Sequence, residues 1–242
     1  MAELTNVVKE FDLRHTRSIK EYIVWWATGR RGQLSDNFNA LDDVSFTITQ
    51  GESVALLGFN GSGKSTTLKL VSGVMLPDSG SVRVRGRIAG LIEVGAGMHP
   101  DLTGRENVYL NGAILGLSEQ QVDERFDSIV AFSGIEKFID TEVKFYSSGM
   151  YMRLAFAVAV HTDPDLFLVD EVLAVGDEPF QRKCIAKMKE LRAAGQTLMV
   201  VSHDLELIKD ICERGIVLEH GRVVHDAPIV EAVDFLRSSM SD

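Results

Sequence analysis

Gly58-Phe59-Asn60-Gly61-Ser62-Gly63-Lys64-Ser65-Thr66 reads as a complete G-x-x-x-x-G-K-S loop, and the reading of the fold starts there. Its three glycines let the backbone take turns that side chains resist, so successive N–H groups can turn inward on phosphate oxygens. The helix predicted to begin near Gly63 adds its positive N-terminal end at the same spot. Lys64 is expected to bridge the β- and γ-phosphates of a nucleoside triphosphate, with the Ser65 hydroxyl as a ligand of Mg²⁺. Just upstream, Ser53-Val54-Ala55-Leu56-Leu57 is a short apolar run suited to a buried strand, and Lys64 to Ser72 carries a helical pattern. Strand, loop and helix in that order are the context the motif requires, and a glycine-rich turn without a ligand does not need it.

A second chemical centre lies about a hundred residues on, at Leu166-Phe167-Leu168-Val169-Asp170-Glu171. Four apolar residues read as a strand buried on both faces, the habit of a parallel sheet. Two carboxylates then emerge at its C-terminal end, where open α/β sheets bind ligands. Asp170 suits a Mg²⁺ ligand, directly or through water, and Glu171 suits a base that takes a proton from an attacking water. Alone, such a pair is a common solubilising strand end; downstream of a phosphate loop it gains weight. The strand Thr197–Val201 ends in Ser202-His203-Asp204, which sets His203 on the same rim, within reach of a γ-phosphate.

The composition is that of an ordinary globular chain. With 242 residues and 45% hydrophobic content it can bury a sizeable core. The longest apolar stretch, Leu154 to Val160, falls well short of the roughly 18 residues a membrane-spanning helix needs. The N-terminus lacks the basic-then-apolar pattern of a signal peptide. Cys184 and Cys212 show no metal-type spacing and read as reduced, buried thiols of a cytosolic protein. A net charge of −10 argues against a protein that coats nucleic acid.

One segment reverses that charge. Arg14, Arg17, Lys20, Arg30 and Arg31 face a single acid, Glu21, and both tryptophans, Trp25 and Trp26, sit among them. Ser18 with Glu21 makes a capping box, Gly29 stands where a helix would end, and Ile19, Tyr22, Ile23 and Trp26 share one helical face. Two readings stand: a surface helix packing on its own domain, or a basic aromatic helix docking on a membrane-embedded partner or the lipid beside it.

Taken together, these motifs resemble the ATP-binding subunit of an ABC transporter over about residues 3–225. The phosphate loop, Asp170-Glu171, His203 and Ala174-Val175-Gly176-Asp177 match the family's Walker A, Walker B, switch histidine and D-loop. The hallmark Leu-Ser-Gly-Gly-Gln corresponds to Tyr146-Ser147-Ser148-Gly149-Met150, which keeps Ser147 and Gly149 and departs elsewhere. The resemblance implies that Ser147 and Gly149 meet the γ-phosphate held by a second subunit, in a head-to-tail homodimer closing on two ATP, with Asp177 in the D-loop beside it. The family's Q-loop glutamine is missing from Leu91-Ile92-Glu93-Val94-Gly95-Ala96-Gly97-Met98-His99-Pro100; Glu93 is the nearest candidate for its Mg²⁺-facing role. Phe11, near the end of the first strand, is the candidate for stacking on adenine, with a core position as its other reading.

The departures themselves resemble one branch, which exports lipid-linked polysaccharides: O-antigens, teichoic acids, capsules and cell-wall galactan. It carries similar Leu-Ile-Glu-Val-Gly-Ala-Gly-x-His-Pro and Leu102-Thr103-Gly104-Arg105-Glu106-Asn107 stretches, and a helix inserted where residues 15–37 lie here. The resemblance implies a separate transmembrane subunit, a place on the cytoplasmic face of the cell membrane, a lipid-linked glycan as cargo and no nucleic acid. The loop Glu93–Pro100 and a helix over 18–28 are the expected contacts to that subunit. An importer or a drug or lipid exporter ATPase is the alternative. A chromosome-maintenance ATPase is set aside, because only 83 positions separate Lys64 from Ser147, with no coiled coil between them. The C-terminal glycan-recognition domain of some members is not expected after the helix predicted over Ile229–Ser238.

The expected architecture is an α/β P-loop NTPase core with an antiparallel β layer and a helical subdomain, all one ABC-type domain over 1–242. Strands near Leu4–Val8, Val44–Ile48, Ser81–Val84 and Gly90–Ile92 are assigned to the antiparallel layer. The strand before the loop, Leu166–Val169, Thr197–Val201 and Gly215–Leu218 are assigned to the parallel core. Residues 104–162 are expected to be the helical subdomain, and Gly29–Asn39 a polar bridge.

Overall fold

The computed structural model describes residues 1–13, 36–90, 97–170 and 177–239. Glu93, Glu171, the inserted helix (apart from its last two positions) and the start of the D-loop lie outside the described residues.

Two sheets share the core. The first is antiparallel, with β1 (Ala2–Leu13) between β2 (Asp36–Ile48) and β4 (Ser79–Val84). The second holds β3 (Ser53–Leu57), β5 (Ile88–Gly90), β6 (Leu166–Val169), β7 (Thr197–Val200), β8 (Arg214–Glu219) and β9 (Arg222–Pro228). Their order is β5-β6-β7-β3-β8-β9, parallel except for β9, which turns back on β8.

Period-two alternation explains how these strands bind the layers. Val54, Leu56, Leu166, Leu168 and Met199 face the antiparallel sheet, packing with Leu4, Val44, Phe46 and Ile48 and with helix α1 (Lys64–Val71). Ala55, Leu57, Phe167, Val169, Leu198 and Val200 face the other way, onto α5 (Glu178–Ala193), α6 (Leu205–Ile211) and α7 (Ile229–Ser238). Both cysteines are buried here as free thiols, pushed up to about 12 by loss of water around the thiolate.

A third apolar cluster belongs to α2 (Gly104–Ile114), α3 (Glu119–Ser133) and α4 (Ser148–Ala159), through Val108, Val122, Ile129, Leu154 and Val158. Local chemistry fixes these helices. Thr103 with Glu106 and Ser118 with Gln121 form capping boxes, and Gly134 at φ 68° ends α3.

Three expectations are corrected. Of the strand expected at Gly90–Ile92 in the antiparallel layer, Leu91 and Ile92 lie outside the described residues, while Gly90 ends β5, which pairs parallel with β6, Ala89 opposite Phe167. A three-residue run carries no alternation to choose its sheet, and Ala89, 1% exposed, is drawn into the core behind the parallel strands. The first two strands run much further than predicted, with Leu13 opposite Asp36. Asp36 and Asn37 therefore pair with β1 instead of ending a helix, and the polar bridge yields residues 36–39 to β2.

Candidate functional site

β3, β7 and β6 are parallel neighbours, so their C-terminal ends form one rim. The Gly58–Thr66 loop leaves the end of β3 and enters α1 at Gly63, the N-cap. Two glycines here are required by space as well as by φ. A Cβ on Gly58, at φ 142°, would stand 2.2 Å from the Leu218 carbonyl oxygen, and one on Gly63, at φ 107°, 2.6 Å from that of Ala40.

Lys64 is buried and curls over the loop, donating from Nζ to the carbonyl oxygens of Gly58 at 2.8 Å and Phe59 at 2.9 Å. Ser62 Oγ is buried beside Gly58 with no hydrogen-bond partner among the described residues. Ser65, in the first turn of α1, is exposed. This is a cradle of N–H groups and one ammonium, the donor set that a triphosphate needs.

Around the cradle lie two clefts. One, of about 220 Å³, brings His203 and Ser202 from the end of β7 to Gly58, Phe59, Asn60 and Lys64. Asp204 caps α6 through the N–H groups of Glu206 and Leu207, which fixes the chain just past His203. The other, of about 230 Å³, carries Phe11 and Phe38 beside Gly61, Gly63, Lys64, Ser65 and Thr66. Phe11 is 38% exposed, so its reading as a core residue falls away. Phe38 was not foreseen: it lay in the presumed polar bridge, and only strand register sets it opposite Phe11.

Asp170 follows β6, half-buried, one strand beyond β7 from the loop. Among the described residues no group of three or more His, Cys, Asp or Glu forms a metal cage. Ser65 and Asp170 are the described residues that could hold a Mg²⁺.

Ser147 and Gly149 open elsewhere. Ser147 is the N-cap of α4, its Oγ accepting from Met150 N at 3.2 Å. Residues 147–150, Arg153 and Asp177 line a concavity of about 500 Å³ that shares no residue with the two clefts at the loop. Arg153 pairs with the Asp177 carboxylate and lies 5.2 Å over the Phe180 ring. Partial burial works against the Asp177 charge, but the Arg153 contact outweighs it and holds the carboxyl below its usual range. Asp177 is thus tied to the helix of Ser147, a link that sequence spacing alone did not reveal.

The departure at Tyr146 has a structural role. Its hydroxyl donates to Phe138 O at 2.7 Å, and a Cβ on Gly104 would come within 2.1 Å of it. Burial, with the nearby Asp140 charge, pushes its pKa up to about 12, so it stays a donor. Asn107, fully buried, holds the preceding loop by donating to the carbonyls of His99, Leu102 and Thr103 and accepting from His99 N.

The ABC transporter profile matches residues 41–174. The chain belongs to the ABC transporter family. An O-antigen export system ATP-binding protein of Klebsiella pneumoniae is 41% identical over 98% of this chain and 97% of its own length. Another so described, from Myxococcus xanthus, is 45% identical over 91% of this chain but only 52% of its own length. A teichoic acids export ATP-binding protein of Listeria monocytogenes serotype 4b is 42% identical over 90% of this chain and 64% of itself. The chain thus spans about half to two thirds of two of these relatives and nearly all of the third. Among solved ABC cassettes, a dimeric post-hydrolysis structure of MJ0796 bound to ADP and Pi aligns at TM-score 0.74 and 25% identity, over 95% of this chain and 99% of that one.

Proposed function

We propose that this chain is the ATP-hydrolysing subunit of an exporter of lipid-linked polysaccharide. In this reading it works as a homodimer with a separate transmembrane subunit, on the cytoplasmic face of the cell membrane. The observation that carries it is the shared rim, where the Gly58–Thr66 loop, Asp170 and His203 all follow parallel strands. The cargo is argued from the O-antigen and teichoic acid relatives, and the absence of any helix among the described residues long and apolar enough to cross a membrane suits a separate permease.

Lys64 and the N-terminal end of α1 hold the β- and γ-phosphates, and Ser62, Ser65 and Thr66 lie along the same cradle. A Mg²⁺ held by Ser65 and Asp170 would neutralise charge on the β- and γ-oxygens. Glu171 takes the proton of a water attacking the γ-phosphorus as the bond to ADP breaks, and His203 hydrogen-bonds the γ-phosphate. Ser147 and Gly149 of a second copy close over that phosphate, which suits a chain whose signature concavity stands apart from its own loop. Positioning and charge neutralisation dominate such a reaction, and nothing in it needs a covalent intermediate. The loop Glu93–Pro100 and the helix expected over 18–28 are assigned to the permease side, with Glu93 also kept as the candidate for the Mg²⁺-facing role.

Lys64→Ala tests the reading in cells that carry the transmembrane subunit. Removing the ammonium from an electrostatic site should cost several kcal/mol of barrier, and ATP hydrolysis and glycan export should fail together. ATPase activity retained within about tenfold contradicts the site. Unchanged glycan export after loss of hydrolysis moves the cargo to another class.

A further inference from the structure

We propose that Phe38 supplies a base contact of its own, so that the purine of the bound nucleotide rests on a platform of two rings, Phe38 and Phe11. The inference rests on the reading that the Gly58–Thr66 loop binds ATP, and it goes beyond the single aromatic expected from the sequence.

Phe11 of β1 stands directly opposite Phe38 of β2, and side chains so paired share one face of the sheet with their Cβ atoms about 5 Å apart. Both rings are exposed, 38% and 46%, whereas Phe46, further along β2, is 7% exposed and packs in the core. Two neighbouring aromatic rings left in water on one strand pair forgo burial that the same strand achieves elsewhere.

Their position gives the occupant. The two rings and Ala40 line one cleft of about 230 Å³ with Gly61, Gly63 and Lys64 of the loop. A triphosphate held at Lys64 must send its ribose and base away from the loop, and the rings border that same cleft. Among the described residues Lys64 is the only charged side chain lining it, and it is engaged at the phosphate end. What suits the remainder is a flat, neutral, polarisable ring that stacks, which describes a purine. The ammonium of Lys9 lies 5.8 Å from the centre of the Phe11 ring, and its pairing with Asp78 at 3.0 Å holds it in place. Phe11 is thereby partly engaged by its neighbour, while Phe38 is the more exposed of the pair.

Each base–aromatic contact typically changes affinity by roughly tenfold or more. The experiment is calorimetric titration of the full chain with Mg-ADP, and separately with tripolyphosphate, which has the phosphates and no base. Phe38→Ala and Phe38→Leu should each lower ADP affinity about tenfold and leave tripolyphosphate affinity within about twofold, while Phe38→Tyr keeps both. The leucine variant retains an apolar strand residue, so a fold lost in the alanine variant does not blunt the test. ADP affinity unchanged in Phe38→Leu, with loss only in Phe11→Ala, overturns the proposal in favour of one ring. Equal loss of ADP and tripolyphosphate binding also overturns it, because Phe38 would then act through the loop's shape. If the unaltered chain binds neither ligand, the ATP reading itself fails, a result distinct from both.

Discussion

Replacing Gly149 by alanine should make the isolated chain more stable and less active. Gly149 is the second residue of α4, at an ordinary helical φ, and a Cβ there would meet nothing nearer than Ser147 Oγ at 3.9 Å. Among the described residues no atom therefore requires a glycine there. Alanine is the better helix former and restricts the unfolded chain, together worth about 0.5–1 kcal/mol at a compatible site. If the glycine instead serves the close approach of a nucleotide held by a second copy, a methyl group intrudes where backbone N–H must meet phosphate. Hydrolysis should then fall by about tenfold or more, about 1.4 kcal/mol of barrier or more. Urea unfolding measures the first effect and phosphate release the second, with ADP binding as the control, since the variant's own loop is untouched. A Gly149→Ala protein that is destabilised by 1 kcal/mol or more, or that hydrolyses ATP at the parent rate, refutes the reasoning.

Two further predictions follow from contacts around this framework. Gly104→Ala should destabilise the chain by about 1–3 kcal/mol, because its Cβ meets the Tyr146 hydroxyl at 2.1 Å; adding Tyr146→Leu should recover much of the loss, read as non-additivity in urea midpoints. Arg214 donates to Asp226 at 2.6 Å, to Glu52 at 2.8 Å and to Thr47 O at 3.0 Å, joining β8 and β9 to the turn before β3; Arg214→Met should cost about 2 kcal/mol at neutral pH. Burial penalises the Glu52 charge, but Arg214 and Thr49 outweigh it and hold the carboxyl below its usual 4.5. The Glu52 contribution is therefore present above pH 4.5 and lost as pH falls through the lower folded value, so the gap between variant and parent should narrow on acidification.

What could be read from the sequence was whatever local chemistry decides. The loop's glycines, the apolar four-residue strand before Asp170 and the α7 span Ile229–Ser238 each follow from a few adjacent residues. What escaped depended on long-range pairing. Ile88–Gly90 is too short to declare its sheet, and it joined the parallel one because β6 offered an edge and a core for Ala89. Phe38 looked like part of a polar connection because its neighbours Asn37 and Asn39 are polar, and only the pairing of β2 with β1 sets it opposite Phe11. The Arg153–Asp177 pair spans 24 positions and two elements, so no motif spacing announces it.

In the proposed cycle two copies close on ATP and open again when Glu171 activates water. Glu171→Gln leaves Lys64, Ser65 and Asp170 in place while removing the base, so hydrolysis should stall with the nucleotide held. Light scattering on the purified variant, without detergent, measures the outcome directly: Mg-ATP should convert monomer to dimer and Mg-ADP should not. A variant that stays monomeric with Mg-ATP and hydrolyses it at the parent rate contradicts both the dimer and the role of Glu171.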